Sequence, residues 1–433
     1  MDFIKSKIKV TLDTLQKNIA SSVPLEYAYG EYVDYKTENA PSPNTNWSEK
    51  VTFSRFDGKD KHCWLHLNIP ALAHEDGKEH RLMLDTGRKG WDDAKNPQFT
   101  VFIDGKTCQA FDINHTWMPL NDGKDLDIFI YLYTGMIGGE FYVKMSLQTV
   151  DLATEGLYYD LKIPLDAMSY LIKINHEIQT DSAGNINDNP NNPQVIPYDY
   201  IKIRDCLDKA TMLLDFRNIG SNEYFESIDK TRKYLKTEFY EKICGNSETS
   251  ISCIGHTHID VAWLWTVAQT REKAQRSFAT VLNMMDYFDD YKFMSSQPQL
   301  YQHIKEVDPE MFERIKARVK EGRWEPEGAM WLEADTNLIS GESLIRQIIY
   351  GKRFMKEEFG VDNKILWLPD VFGYSGALPQ ILQKCGITKF FTTKMNWSET
   401  NNLPHDALFG RALTAHRFFL PLSAVMFCFC VLL

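Results

Sequence analysis

Residues 255–263 read GHTHIDVAW, so His256, His258 and Asp260 fall at every second position, directly after the short run SISCIG. Side chains of an extended strand repeat with period two, so all three would project from one face if the strand continued through them. Imidazole together with carboxylate is a ligand set for a catalytic zinc or a similar divalent ion. The plainer alternative is a group of loop and helix-capping residues. A second stretch, KILWLPDVFGYSGALPQ, sets Asp370 after an apolar run and before a helix that should begin near Ala377. That position puts it on the same rim as Asp260, although turn and N-cap aspartates are common. Beside a cation such a carboxylate has a depressed pKa and stays ionised, which suits a nucleophile or a metal ligand. Trp263, Trp265, Trp331, Trp367 and Trp397 lie in the same half of the chain. Their faces suit stacking on the C–H surface of a sugar, while ordinary packing accounts for most of them.

The elements that must hold these residues alternate. From 249 onward, SISCIG reads as a buried central strand, followed by a helix through TREKAQRSFATVLNMMDYF. Strand-like YKFMSSQ, RWEPEGAMW, KILWLP and KFFTTKM then alternate with helical PQLYQHIKEVDPEMFERIKARVKEG, ESLIRQIIYGKRFMKEEFG and ALPQILQKCG. Such alternation points to a parallel α/β sheet or barrel, in which chemistry collects at the carboxyl ends of the strands. Ahead of it the pattern is different. Residues 1–45 read as a helix and a polar loop. Residues 46–178 carry short β-rich runs, HCWLHLNI, EHRLMLDT, QFTVFIDG, LDIFIYLYTG, GEFYVKMSLQTV and LYYDLKIPL, with EDGK, IDGK and NDGK turns among them. Antiparallel β-sandwich architecture is the expectation there. Residues 179–248 read as the polar linker SAGNINDNPNNPQ and then helices, 249–417 as a partial α/β catalytic barrel, and 418–433 as an apolar tail. The fold class is therefore α/β, an N-terminal β-sandwich-like domain followed by an incomplete parallel (β/α) barrel.

Composition narrows the partners. The 433 residues carry a formal net charge of −11, which argues against a nucleic-acid binder. The N-terminus has no uninterrupted apolar stretch of the secretory kind. The cysteines, at 63, 108, 206, 244, 253, 385, 428 and 430, have no disulfide-framework spacing, so reduced thiols and a cytoplasmic location are expected. The tail FFLPLSAVMFCFCVLL is shorter than the roughly 20 residues a bilayer-crossing helix needs, so membrane insertion is not expected.

GHTHIDVAWLWT and WLPDVFGYSGALPQIL together resemble the catalytic signatures of glycoside hydrolase family 38, the class II α-mannosidases, and most of all their cytosolic and bacterial type. The likeness continues through RWEPEGAMWLEADTNLISGESLIRQ and KFFTTKMNWSETN and covers about 250–408. The resemblance implies a retaining α-mannosidase acting on mannose-containing oligosaccharides, with Zn2+ or another divalent cation such as Co2+. It implies His258, Asp260 and Asp370 on the metal, Asp370 also as nucleophile, Trp263 and Phe372 lining the sugar site, and His256 supporting that shell. It leaves room for oligomers of full-length members. After LPHDALF the chain reads GRALTAHRFFLPLSAVMFCFCVLL, unlike the family, and neither His405 nor His416 matches the family's later zinc motif. A C-terminally truncated chain is expected, with the fourth metal ligand and the acid/base missing, and with impaired or absent turnover. Two other readings stay open: a metal-dependent amidohydrolase or deacetylase, and a non-catalytic carbohydrate-binding fragment.

Overall fold

The structure is a computed structural model that describes residues 3–30, 46–90, 96–121, 123–178, 198–245, 251–397, 400, 407–411 and 417–421. Helix α1 (Phe3–Asn18) leads into ten strands: β1 (Ala20–Pro24), β2 (Ala28–Tyr29), β3 (Phe53–Phe56), β4 (His62–Ile69), β5 (Lys78–Asp85), β6 (Gln98–Ile103), β7 (Lys106–Phe111), β8 (Trp117–Pro119), β9 (Leu126–Tyr133) and β10 (Phe141–Asp151). They form two five-stranded antiparallel sheets. One runs β1-β10-β5-β8 with β3 also on β10, and the other runs β2-β4-β9-β6-β7. Leu65, Val101, Phe111 and Ile130 of the second sheet meet Leu82, Leu84, Val143 and Met145 of the first in one buried cluster. Burying both inner faces is what a sandwich requires. The IDGK turn joins β6 to β7 with Asp104 at φ 52° and Gly105 at φ 76°. Positive φ at both positions is the geometry Asp-Gly favours in two-residue hairpins.

Helices α2 (Leu152–Ile178), α3 (Tyr198–Thr211) and α4 (Asn222–Leu235) pack with α1 around a separate core that includes Ile8, Leu15, Leu157, Leu207 and Ile228. Two expectations change here. LYYDLKIPL is part of α2 and not a strand. Leu157, Leu161, Leu165 and Met168 are all buried, a helical spacing that faces α1 and α3. The stretch expected as N-terminal helix and loop also contributes β1 and β2 to the sandwich. The SAGNINDNPNNPQ linker lies outside the described residues.

The second half contains β11 (Gly255–His256), α5 (Val267–Tyr287), β12 (Phe293–Ser295), α6 (Pro298–Val307), α7 (Pro309–Lys320), β13 (Trp324–Pro326), α8 (Gly341–Phe359), β14 (Ile365–Trp367), α9 (Leu378–Lys384), β15 (Lys389–Phe391), β16 (Ala407–Arg411) and β17 (Arg417–Pro421). Strands β11-β12-β13 are parallel, as are β14-β15-β17, while β16 pairs antiparallel with β17. The α/β class stands. A closed barrel is not formed among the described residues; the two sheets adjoin where the Ala329 N–H donates to the Ile365 carbonyl at 3.2 Å. SISCIG is not the buried central strand expected of it. Ile251 is 84% exposed and only Gly255 and His256 are in strand pairing. Strand β11 ends the order β11-β12-β13, so residues 251–254 have no ladder partner among the described strands. At the other end, 417–421 form β17, so the segment expected as a tail begins in a strand; 422–433 lie outside the described residues. No helix among the described residues is long and apolar enough to cross a membrane.

The halves meet along α5, which lies on β7 of the sandwich. The Ala110 N–H donates to Thr280 Oγ1 at 3.0 Å, Gln275 Nε2 donates to Thr107 Oγ1 at 3.2 Å, and Asn283 and Arg276 bond to Gln109 and Gln98. Covering the outer face of this sheet explains why Gln98, Thr100 and Gln109 are buried in strands that would otherwise face water.

Candidate functional site: a histidine and three carboxylates at the strand ends

His258 and Asp260 lie in the loop between β11 and α5, and Asp370 lies three residues beyond β14. The fold brings them together. One ligand atom from each lies within 4.8 Å of the others. His258 Nε2 is 3.0 Å from Asp260 Oδ1 and 3.7 Å from Asp370 Oδ2. Local bonds fix the loop. Trp265 Nε1 and Thr270 Oγ1 both donate to the Asp260 carbonyl at 3.2 Å, and Gln297 Nε2 donates to the Ile259 carbonyl at 2.9 Å. Thr266 caps α5 by accepting from the Gln269 N–H, which ends the loop.

Two charged residues that spacing did not single out complete the cluster. Glu333, nearly buried, sets Oε2 3.4 Å from His258 Nδ1. Lys394, with only 6% of its side chain exposed, pairs with Asp370 Oδ1. Both follow a strand, β13 and β15, as Asp370 follows β14. Position after a strand was the available signal, but one Glu or Lys in a mixed segment carries no spacing of its own. Electrostatics follow from this crowding. Burial opposes a charge on His258, but Glu333 first, then Asp260 and Asp370, outweigh it and hold its pKa well above the ordinary value. For Asp370, burial raises the pKa, while His258 and Lys394 more than offset that and hold it below the usual carboxylate value.

His256 is outside the cluster. Its Nδ1–H donates to the Met294 carbonyl at 3.0 Å, and its Nε2 accepts from Trp367 Nε1 at 3.3 Å. It therefore links β11 to β12 and to β14. Burial, with a smaller contribution from His258, pushes its pKa down to about 4. Among the tryptophans, Trp265, Trp331 and Trp367 use their N–H groups within the protein. Trp263 is 57% exposed, Phe372 74% and Trp397 68%, and the Phe372 and Trp397 rings meet edge to face at 6.2 Å. Lys394 Nζ lies 4.3 Å from the centre of the Phe372 ring and 3.2 Å from that of Trp397. His405 and His416 lie outside the described residues.

One imidazole and two carboxylates converging from half-buried positions fit a divalent cation. With His258 neutral, Asp260, Asp370 and Glu333 outnumber the one lysine among them, so a cation would relieve the excess negative charge.

The fold and the site define an α/β protein with a candidate cation centre at its strand ends. Residues 248–422 match the glycosyl hydrolases family 38 N-terminal domain. Through this segment the chain is similar to the glycosyl hydrolases of family 38. Over 209 residues it is 41% identical to Alpha-mannosidase G of Dictyostelium discoideum, covering 48% of this chain and 19% of that protein. Alpha-mannosidase of Saccharomyces cerevisiae is 40% identical over 190 residues, 41% of this chain and 18% of that protein. Alpha-mannosidase 2C1 of Homo sapiens is 39% identical over 183 residues, 42% of this chain and 18% of that protein. The chain thus spans about a fifth of the length of these relatives.

Proposed function

We propose that this chain carries part of the active site of a zinc-dependent retaining α-mannosidase that cleaves mannose-containing oligosaccharides, with the cytoplasm as its compartment. The convergence of His258, Asp260 and Asp370 within 4.8 Å is the observation that supports this most directly. His258, Asp260 and Asp370 would hold the ion, and zinc, or cobalt in its place, would supply electrostatic grip on sugar hydroxyls. Asp370 is the proposed nucleophile. Its oxygen bonds to the anomeric carbon as the bond to the leaving oxygen breaks, and water later releases the sugar. A second acid must give the leaving oxygen its proton. Lys394, paired with Asp370 Oδ1, and the cation itself would keep Asp370 ionised for attack. Trp263 and Phe372, both exposed, would stack on the sugar ring. The same site without turnover would make a carbohydrate-binding fragment, and one experiment separates the two. A fluorinated mannosyl reagent should label Asp370 of the zinc-loaded chain and leave Asp370→Asn unlabelled. Retained mannoside binding with no label would overturn the catalytic reading. Asparagine is the suitable replacement, because alanine would strand Lys394 unpaired in its nearly buried position.

A further inference from the structure

His258 Nδ1 and Glu333 Oε2 are both buried, and neither has a hydrogen-bond partner that meets full geometry. They face each other at 3.4 Å. Buried polar atoms are rarely left unmatched, and these two are complementary if the proton sits on Nδ1. The other Glu333 oxygen, Oε1, accepts from the Ser296 hydroxyl at 3.3 Å, which keeps the carboxylate turned toward the ring. Gln297 spans the two segments. Its Oε1 accepts from the Glu333 N–H at 3.4 Å, while its Nε2 donates to the Ile259 carbonyl next to His258. Gln297 is buried and adopts φ 65° at the start of α6, a left-handed conformation that a non-glycine residue holds only when its surroundings require it. The strained residue is therefore the one whose carboxamide ties the histidine loop to the glutamate segment.

We propose that Glu333 is a positioning residue: it takes the Nδ1–H of His258, with Gln297 as the strap, and so leaves the Nε2 lone pair facing Asp260 and Asp370. The inference rests on the reading of that trio as a cation site. Carboxylates placed behind a ligating histidine fix its tautomer and raise its basicity. None of the sequence patterns around Glu333 identifies this role; the pairing exists only once the segment after β13 and the loop after β11 meet at the ends of their strands.

The test uses the whole 433-residue chain. Zinc affinity is measured by chelator competition for wild type, Glu333→Gln and Glu333→Asp, with circular dichroism as the check on folding. The amide keeps the shape and loses the charge, and should weaken zinc binding by about 10- to 100-fold. In zinc-loaded wild type, the His258 Nδ1–H proton should give a slowly exchanging imidazole resonance by NMR that moves or disappears in Glu333→Gln. A merely structural role would leave that resonance in place. If Glu333→Gln does not fold, the shorter aspartate variant decides by the same two measurements. Zinc affinity within twofold of wild type in a folded variant, or an unmoved Nδ1–H signal, overturns the role of Glu333. Wild-type chain that binds no zinc is a different result and removes the cation site itself, with this inference.

Discussion

The sandwich and the α/β unit obtain their order in different ways. In the sandwich the main strands run six to eleven residues, each closes a long antiparallel ladder, and the residues between the sheets are almost all apolar. In the α/β unit the strands of the two parallel runs extend only two, three or five residues. Their carboxyl ends lead to ionisable groups, among them His258, Glu333 and Lys394, set in partly or nearly buried positions. Apolar burial lowers free energy at almost any position. Buried charge raises it unless every partner is present. The sandwich is thus built for stability and presses one sheet on α5. The α/β unit keeps at its strand ends an arrangement that is costly without its counter-charges. Loss of packing should therefore dominate in one half and loss of charge balance in the other.

The largest effect expected is Phe111→Ala. Phe111 is fully buried at the end of β7, in the sandwich core and on the strand that meets α5. Removing its ring should cost about 4 kcal/mol, from lost transfer and the cavity left behind. Urea unfolding followed by tryptophan fluorescence measures it. A loss below about 1 kcal/mol would mean that this core collapses around the gap, and the contrast between the halves would fail.

The next effect separates two histidines only two residues apart. His256 has its pKa pushed down from 6.5 to about 4, mainly by burial, and its acceptor nitrogen already takes the Trp367 N–H. The unfolded chain protonates this residue first as pH falls. Stability should therefore drop as pH goes from 6.5 toward 4, and a shift of that size corresponds to about 3 kcal/mol. His258 has the opposite shift. In the cation-free chain its contribution is fully present below 6.5 and is lost as pH rises through its raised folded value. Melting midpoints across pH should fall on both sides of a maximum. His256→Gln should flatten the acid side alone. Zinc should reverse the alkaline side, because a ligating imidazole must give up its proton. An acid side unchanged in His256→Gln would remove His256 as its source.

The same contrast explains what could be read in the residues. HCWLHLNI and LDIFIYLYTG are legible because a sheet with a dry inner face imposes apolar residues at long, regular intervals, and IDGK is legible because its turn needs that dipeptide. LYYDLKIPL misleads: its β-branched and aromatic content suggests a strand, while its tertiary partners α1 and α3 select the helical face of Leu157, Leu161 and Leu165. SISCIG misleads in the other direction, since an apolar run becomes a buried strand only where neighbours exist to pair with it. His258, Asp260 and Asp370 stand out because each sits in a dense pattern of chemically capable residues. Glu333, Lys394 and Gln297 do not, since nothing along the chain distinguishes them. Their roles come from three strand ends meeting in space.

The smallest effects fall where the halves touch, and there burial should decide between two contacts of similar appearance. Thr280 Oγ1 accepts the Ala110 N–H at 3.0 Å inside the joint, with both residues buried. Thr280→Val keeps the shape and leaves that N–H without an acceptor, which should cost roughly 1–2 kcal/mol. Lys106, also on β7, pairs with Glu310 of α7, but the two side chains are 64% and 61% exposed. Water already solvates both charges and screens their attraction, so Lys106→Ala should change stability by less than about 0.5 kcal/mol. Urea midpoints of the two variants, measured side by side at low and at high salt, test the ranking. A larger loss for Lys106→Ala, disappearing at high salt, would show that long-range charge and not the buried polar joint holds the sandwich to α5.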